Sequence, residues 1–95
     1  FPYTTLFRSQ TPLFRRGFRL QWEEAQNCHV ILYPEGMARL NGSAAEILLL
    51  VDGKRTLGDI IAELNARFPG VPDLGADVTD FFGKAYEQKW IIFRD

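Results

Sequence analysis

From Phe18 to Glu23 apolar and polar residues alternate, with Phe18, Leu20 and Trp22 on one side and Arg19, Gln21 and Glu23 on the other. This is the period of a strand with one buried face. A polar connection over 24–27 leads to Cys28-His29-Val30-Ile31-Leu32-Tyr33, whose β-branched and aromatic residues suit a second strand. Tyr33-Pro34-Glu35-Gly36 puts Pro at the second and Gly at the fourth position of a turn, which favours type I because Pro holds φ near the required value. A hairpin is therefore expected, with a short third strand over Met37 to Leu40. Its Arg39 suits an edge guarded by charge against indiscriminate pairing.

Helical spacing then takes over. Ser43-Ala44-Ala45-Glu46 reads as a capping box ahead of Ile47, Leu48 and Val51, with Asn41 as the competing cap. The first helix is expected to run to about Val51 and to stop at Asp52-Gly53. Thr56 opens a second helix with Leu57, Ile60, Ile61 and Leu64 on one face, ending by Phe68 before Pro69-Gly70. After a loop from Pro69 to Ala76, the stripe Val78, Phe81, Phe82, Ala85 and Tyr86 predicts a third helix. Asp77 and Asp80 lie near its positive start, Lys84 and Lys89 later. Trp90-Ile91-Ile92-Phe93 is an apolar tail that packs back on the core or adds a short strand. The expected class is α+β, three antiparallel strands followed by three helices.

Composition narrows what such a domain does. Its 95 residues make one domain, expected over 18–95, with a thin core and few deep clefts. Lys and Arg total 11 against 12 Asp and Glu, a net charge of −1. That balance argues against phosphate binding as the main task, because nucleic-acid affinity comes largely from neutralised phosphates. Cys28 is the single cysteine and cannot close an internal disulfide, and no apolar run is long enough to cross a bilayer. The chain therefore reads as cytoplasmic. Its opening, Phe1 to Ser9, has no initiator Met and no signal-peptide pattern, and it resembles translated sequencing-adapter sequence. Residues 1–9 are accordingly set aside as foreign or disordered, and 10–17 are expected to form a flexible flank.

Several strings are more specific. Arg16-Gly17-Phe18-Arg19-Leu20-Gln21-Trp22-Glu23-Glu24-Ala25-Gln26 resembles the start of the pyrroloquinoline quinone biosynthesis protein D family, PqqD. The likeness continues through Leu32-Tyr33-Pro34-Glu35-Gly36-Met37 and Leu40-Asn41-Gly42-Ser43-Ala44-Ala45-Glu46-Ile47-Leu48. Asp52-Gly53, Ile60-Ile61 and Phe68 extend it, so that it covers roughly Pro12 to Ile91. One position departs from the pattern: Lys89 stands before Trp90 where the family usually has Gly. The resemblance implies a winged helix-turn-helix-like domain called a RiPP recognition element, which binds the precursor peptide of a ribosomally made natural product. In this pathway the peptide is PqqA, the modifying enzyme is the radical S-adenosylmethionine protein PqqE, and the recognition element is not an enzyme and needs no cofactor. The alternatives are a recognition domain for another ribosomal peptide-modification pathway and a winged-helix DNA-binding protein. The DNA reading is disfavoured because the third helix opens with Asp77-Val78-Thr79-Asp80.

The mechanism these residues suit is strand addition, in which an extended peptide satisfies the free amides and carbonyls of a sheet edge. The resemblance places that edge at Met37, Ala38, Arg39 and Leu40, with the third helix as the other wall of a groove. Phe81, Phe82 and Ala85 are the candidate wall residues. Adjacent helical residues diverge by about 100°, so one phenylalanine can line the groove while the other fills the core. Arg39 is a candidate partner for an acidic peptide residue. Arg15, Arg16 and Arg19, beside Phe14 and Phe18, form a basic cluster for the enzyme or the peptide. About five new backbone bonds would contribute about 2.5 to 7.5 kcal/mol, against about 2 to 5 kcal/mol for ordering the peptide. Micromolar binding needs about 8 kcal/mol, so apolar pockets must add to the pairing. The same edge can also pair two copies of the domain.

Other candidates carry less. Cys28 and His29 are strand neighbours that point to opposite faces, and no spaced Cys/His set offers a metal its ligands. Glu23 with Glu24, and Asp77 with Asp80, read as solvated or helix-start carboxylates rather than an acid–base pair. Lys54-Arg55 reads as a solvated turn.

Overall fold

The computed structural model describes residues 8–94. Most of the segment set aside as foreign, residues 1–7, lies outside the described residues. Five strands and three helices follow in the order β1 (Thr11–Phe14), β2 (Arg19–Glu23), β3 (Cys28–Tyr33), β4 (Gly36–Arg39), α1 (Gly42–Leu48), α2 (Leu57–Arg67), α3 (Leu74–Glu87) and β5 (Ile91–Arg94). The alternation over 18–23 and the β-branched run over 28–33 become β2 and β3, and the Pro-Glu turn closes the β3–β4 hairpin with Tyr33 opposite Gly36. These three strands make an antiparallel sheet in the order β2-β3-β4.

The apolar tail after α3 becomes β5, and its partner is a strand the sequence pattern did not suggest. Thr11–Phe14 pairs antiparallel with Ile91–Arg94, Pro12 opposite Phe93 and Leu13 opposite Ile92. The segment expected as a flexible flank is thus held in a two-stranded ribbon, with Thr11 and Pro12 buried. Arg8 and Gln10 are held as well. The first amides of a helix lack partners inside it, and in α2 they go to Gln10 O from Leu57 N (2.8 Å) and to Arg8 O from Gly58 N (2.9 Å).

The helix boundaries show which local signals prevail. Thr56 and Asp59 form the reciprocal capping box of α2, with Asp59 N donating to Thr56 Oγ1 (3.1 Å) and Thr56 N to Asp59 Oδ2 (3.0 Å). In α1 the cap is Asn41 and not the Ser43 box: its side chain accepts from Ala44 N at 2.8 Å, so the helix starts earlier and ends at Leu48. α3 begins at Leu74, inside the expected loop. Gly75 sits against the first described residues: a Cβ there would lie 2.9 Å from the Arg8 guanidinium, with the Ile61 side chain of α2 at an ordinary 3.5 Å.

α3 ends in a Schellman motif. Trp90 N donates to Ala85 O and Lys89 N to Tyr86 O, both at 3.0 Å, and Lys89 takes the left-handed conformation with φ 66°. A non-glycine residue costs about 1–2 kcal/mol there, because its Cβ crowds the following carbonyl oxygen. The core lies between the β2-β3-β4 sheet and the helices, and Ile31, Leu48, Leu57, Ile60, Ile61, Leu64, Val78, Phe82 and Ile91 are buried in it.

Candidate functional site

β4 is bonded to β3 on one side and, among the described residues, to no strand on the other. The register decides which groups face outward. Leu40 N donates to His29 O at 3.0 Å, and antiparallel pairs alternate between bonded and non-bonded. Gly36, Ala38 and Leu40 therefore bond to β3, while the amides and carbonyls of Met37 and Arg39 face the open side. The edge offers about four backbone bonds rather than five, which contribute about 2 to 6 kcal/mol in all.

Side chains follow the same alternation. Met37 stands beside Leu32 and Arg39 beside Val30, on the face of the sheet turned from the helices. Met37 and Arg39 are exposed there, Ala38 is half-buried on the opposite face, and Leu40 is buried in the core.

The candidate residues of α3 divide. Phe82 (0% exposed) and Ala85 (2%) belong to the core and do not line a surface. Phe81 is half-buried and meets Phe82 edge-on, with centroids 5.7 Å apart. Of the two phenylalanines it is the one with surface to offer.

Two clefts bracket this region. The first, about 550 Å³, is lined by Gly42, Ser43, Ile47, Phe68, Val71 and Leu74, among others, with Glu46 and Asp77 at its rim. Phe68 (40%) and Val71 (44%) are large apolar residues left exposed. The second, about 460 Å³, includes Arg15, Arg16, Phe18, Tyr33, Glu35, Lys89 and Trp90. The first joins the residues following β4 to the start of α3; the second joins the turn preceding β4 to the end of α3. Neither cleft is lined by a residue of β4 or by Phe81, so the expected groove with β4 as one wall and α3 as the other is not among these two.

Sequence reasoning missed the first cleft. A usable signal was present in Phe68-Pro69-Gly70-Val71-Pro72, where apolar side chains sit among helix breakers that keep them out of a packed element. The basic cluster is also split. Arg15 and Arg16 line the second cleft, whereas Arg19 lies opposite Leu32 on the outer face of the sheet.

Cys28 and His29 lie on opposite faces of β3, and His29 packs against the exposed Trp22 edge-on at 5.1 Å. Glu23 and Glu24 accept from Gln21 Nε2 (2.6 Å) and Trp22 Nε1 (3.2 Å), and Asp80 pairs with Lys84 (3.2 Å). Among the described residues no group of three or more His, Cys, Asp and Glu could hold a metal, and no helix is long and apolar enough to cross a membrane. The carboxyl of Asp52, in the α1–α2 turn, lies below its ordinary pKa. It is held low mainly by the backbone amide of Arg55, then by that of Lys54.

Residues 28–91 match the family model Coenzyme PQQ synthesis protein D (PqqD). A PqqA binding protein of Rahnella aquatilis is 59% identical over 91 residues, covering 96% of both chains. One from Klebsiella pneumoniae (strain 342) is 60% identical over 82 residues, covering 86% of this chain and 89% of its own. The solution structure of the PqqD truncation of Methylobacterium extorquens PqqCD, a functional stand-alone RiPP recognition element, superposes with a TM-score of 0.76 at 30% identity, covering 95% and 97% of the two chains. PqqD from Xanthomonas campestris gives 0.51 at 28% identity, covering 88% and 94%. On the family match and these identities together, the chain belongs to the PqqD family.

Proposed function

We propose that this protein binds the precursor peptide PqqA by strand addition at β4 and presents it to the radical S-adenosylmethionine enzyme PqqE, acting as a recognition element and not as a catalyst. The observation that carries the reading is the unpaired side of β4, with the outward amides and carbonyls of Met37 and Arg39. Relatives of similar length bear the name PqqA binding protein.

The energetics assign parts to the edge and to its surroundings. About four backbone bonds roughly offset the about 2 to 5 kcal/mol needed to order a flexible peptide. Backbone pairing therefore sets position and direction, and affinity comes from side chains. Peptide residues opposite Met37 and Arg39 project on the outer face, where Arg39 can meet a carboxylate. Residues alternating with them project toward Phe81 and the apolar cleft. Burying one large aliphatic or aromatic side chain there contributes about 1.5–3 kcal/mol, so about three or more such anchors are needed to reach the about 8 kcal/mol of micromolar binding.

A titration of isotope-labelled protein with PqqA peptide tests the reading. Backbone resonances of Met37 and Arg39 are expected to shift most, with those of Phe81 and the residues around Leu74 following. Saturating peptide that leaves Met37 and Arg39 unmoved would reject strand addition at this edge.

A further inference from the structure

The cleft at the far end of α3 has a character that pairing along β4 does not explain. Its lining carries three cations, Arg15, Arg16 and Lys89, against one carboxylate, Glu35. The chain as a whole carries a net charge of −1, so this excess runs against the overall sign. Arg15, Arg16 and Lys89 are exposed, and among the described residues none forms an ion pair with a carboxylate. The floor is aromatic: Phe18 and Tyr33 stack at 5.5 Å with planes 20° apart, the Arg15 guanidinium lies 5.9 Å above the Phe18 ring, and Trp90 closes one side. Lys89 holds its place in a left-handed conformation that glycine would adopt without strain. Lys89 thus adds a third cation beside Arg15 and Arg16.

The position of the cleft selects that occupant. Pro34 and Glu35, which line it, directly precede Gly36, the first residue of β4. The four residues of β4 span only about 13 Å, so a peptide paired along them runs off this end within a few residues. The cleft at the other end carries Asp77 and Glu46, the latter paired with Arg67 at 3.8 Å, and no cation is among its lining residues. The two ends therefore differ in sign, and that difference orients a peptide whose own charge is unevenly distributed. We propose that the Arg15–Arg16–Lys89 cleft binds acidic side chains of the same peptide that pairs with β4, fixing its direction along the edge. This rests on the strand-addition reading.

The test uses the full chain and two variants, Arg16→Gln and Lys89→Gly, alone and combined. Affinity is measured at low and high salt for PqqA peptide and for the same peptide with every Asp and Glu replaced by Asn and Gln. The double variant is expected to bind native peptide about tenfold more weakly at low salt and to lose most of the salt dependence. The neutralised peptide should bind the unaltered protein about as weakly, with no further loss in the double variant. Lys89→Gly alone should raise the melting temperature while lowering affinity, an opposition that a purely structural lysine would not produce.

Unchanged affinity in the double variant, or an equal loss toward native and neutralised peptide, overturns the assignment. So does an intact peptide affinity accompanied by lost binding of PqqE or of a labelled DNA duplex, which would give the cleft to another partner. Shifts at Met37 and Arg39 on peptide addition separate the two readings: if they persist, only the cleft assignment falls, and if they are absent, strand addition itself has failed.

Discussion

The β1–β5 ribbon and the β4 rim are both built on four-residue strands, yet they meet opposite fates. In the ribbon each strand is the other's partner, and Pro12 and Ile91 turn into the protein interior. Each of its strands is, like β4, paired on one side only, but it fastens the two ends of the described chain together. β4 is paired on one side only, and the side chains flanking its open backbone groups, Met37 and Arg39, stay in solvent. Pairing does not separate the two, since every one of these strands has a partner in the same chain; burial does, because the ribbon sends side chains into the core while Met37 and Arg39 stay in solvent. β2 is also a sheet edge; β4 differs in that a cleft lies just before it in the chain, at Pro34 and Glu35, and an apolar one just after it, at Gly42 and Ser43.

The largest expected effect tests the structural half of this contrast. Ile91→Ala should destabilise the domain by about 2–5 kcal/mol in chemical denaturation, since it removes a fully packed side chain. Met37→Ala, at a position 42% exposed, should remain within about 0.5 kcal/mol of the unaltered protein. Equal losses from the two would erase the distinction between ribbon and rim.

A smaller effect sharpens the distinction within β4 itself. Ala38→Pro removes an amide that bonds to β3 and leaves a carbonyl without its partner, so stability should fall by about 1–3 kcal/mol. Met37→Pro removes an outward amide, so stability should change little while PqqA affinity drops about threefold to tenfold. Thermal melts and peptide titrations of both variants check the pattern, and a reversal would mean that the alternation along β4 is opposite to the one described.

The smallest effect lies far from both regions. The pKa of Asp52 is lower in the folded chain than in the unfolded one, so the unfolded chain binds its proton first as pH falls. Its contribution to stability is complete above the unfolded value and is lost as pH drops through the folded value. Asp52→Ala should therefore flatten slightly the acid limb of stability against pH and leave peptide affinity at neutral pH unchanged. Melting curves across the acid range measure it.

Elements with a strong local period were legible in advance. β2, β3 and α2 follow from alternation over 18–23, β-branched residues over 28–33, and the Thr56 cap ahead of a stripe. A short edge strand carrying Arg39 was legible too, but not that only Met37 and Arg39 would face its open side while Leu40 bonds to β3 and is buried. β1 was not: Thr11-Pro12-Leu13-Phe14 has no alternation, and its partner is 80 residues away. The candidate wall of α3 was half legible, since Phe81 and Phe82 share one stripe and only packing separates them. The apolar cleft was hidden because its lining comes from three helices and a loop.

The amino-acid sequence alone determined the order of elements from β2 to α3, the turn that makes β4 short, and the family to which the chain belongs, because each depends on residues close together along the chain. Tertiary structure decided that the chain ends pair with each other, that Phe82 is interior while Phe81 reaches the surface, and that Arg15, Arg16 and Lys89 share one cleft while Arg19 does not. Those outcomes depend on distances between segments far apart in the chain, and local propensity holds no information about them until the core has formed.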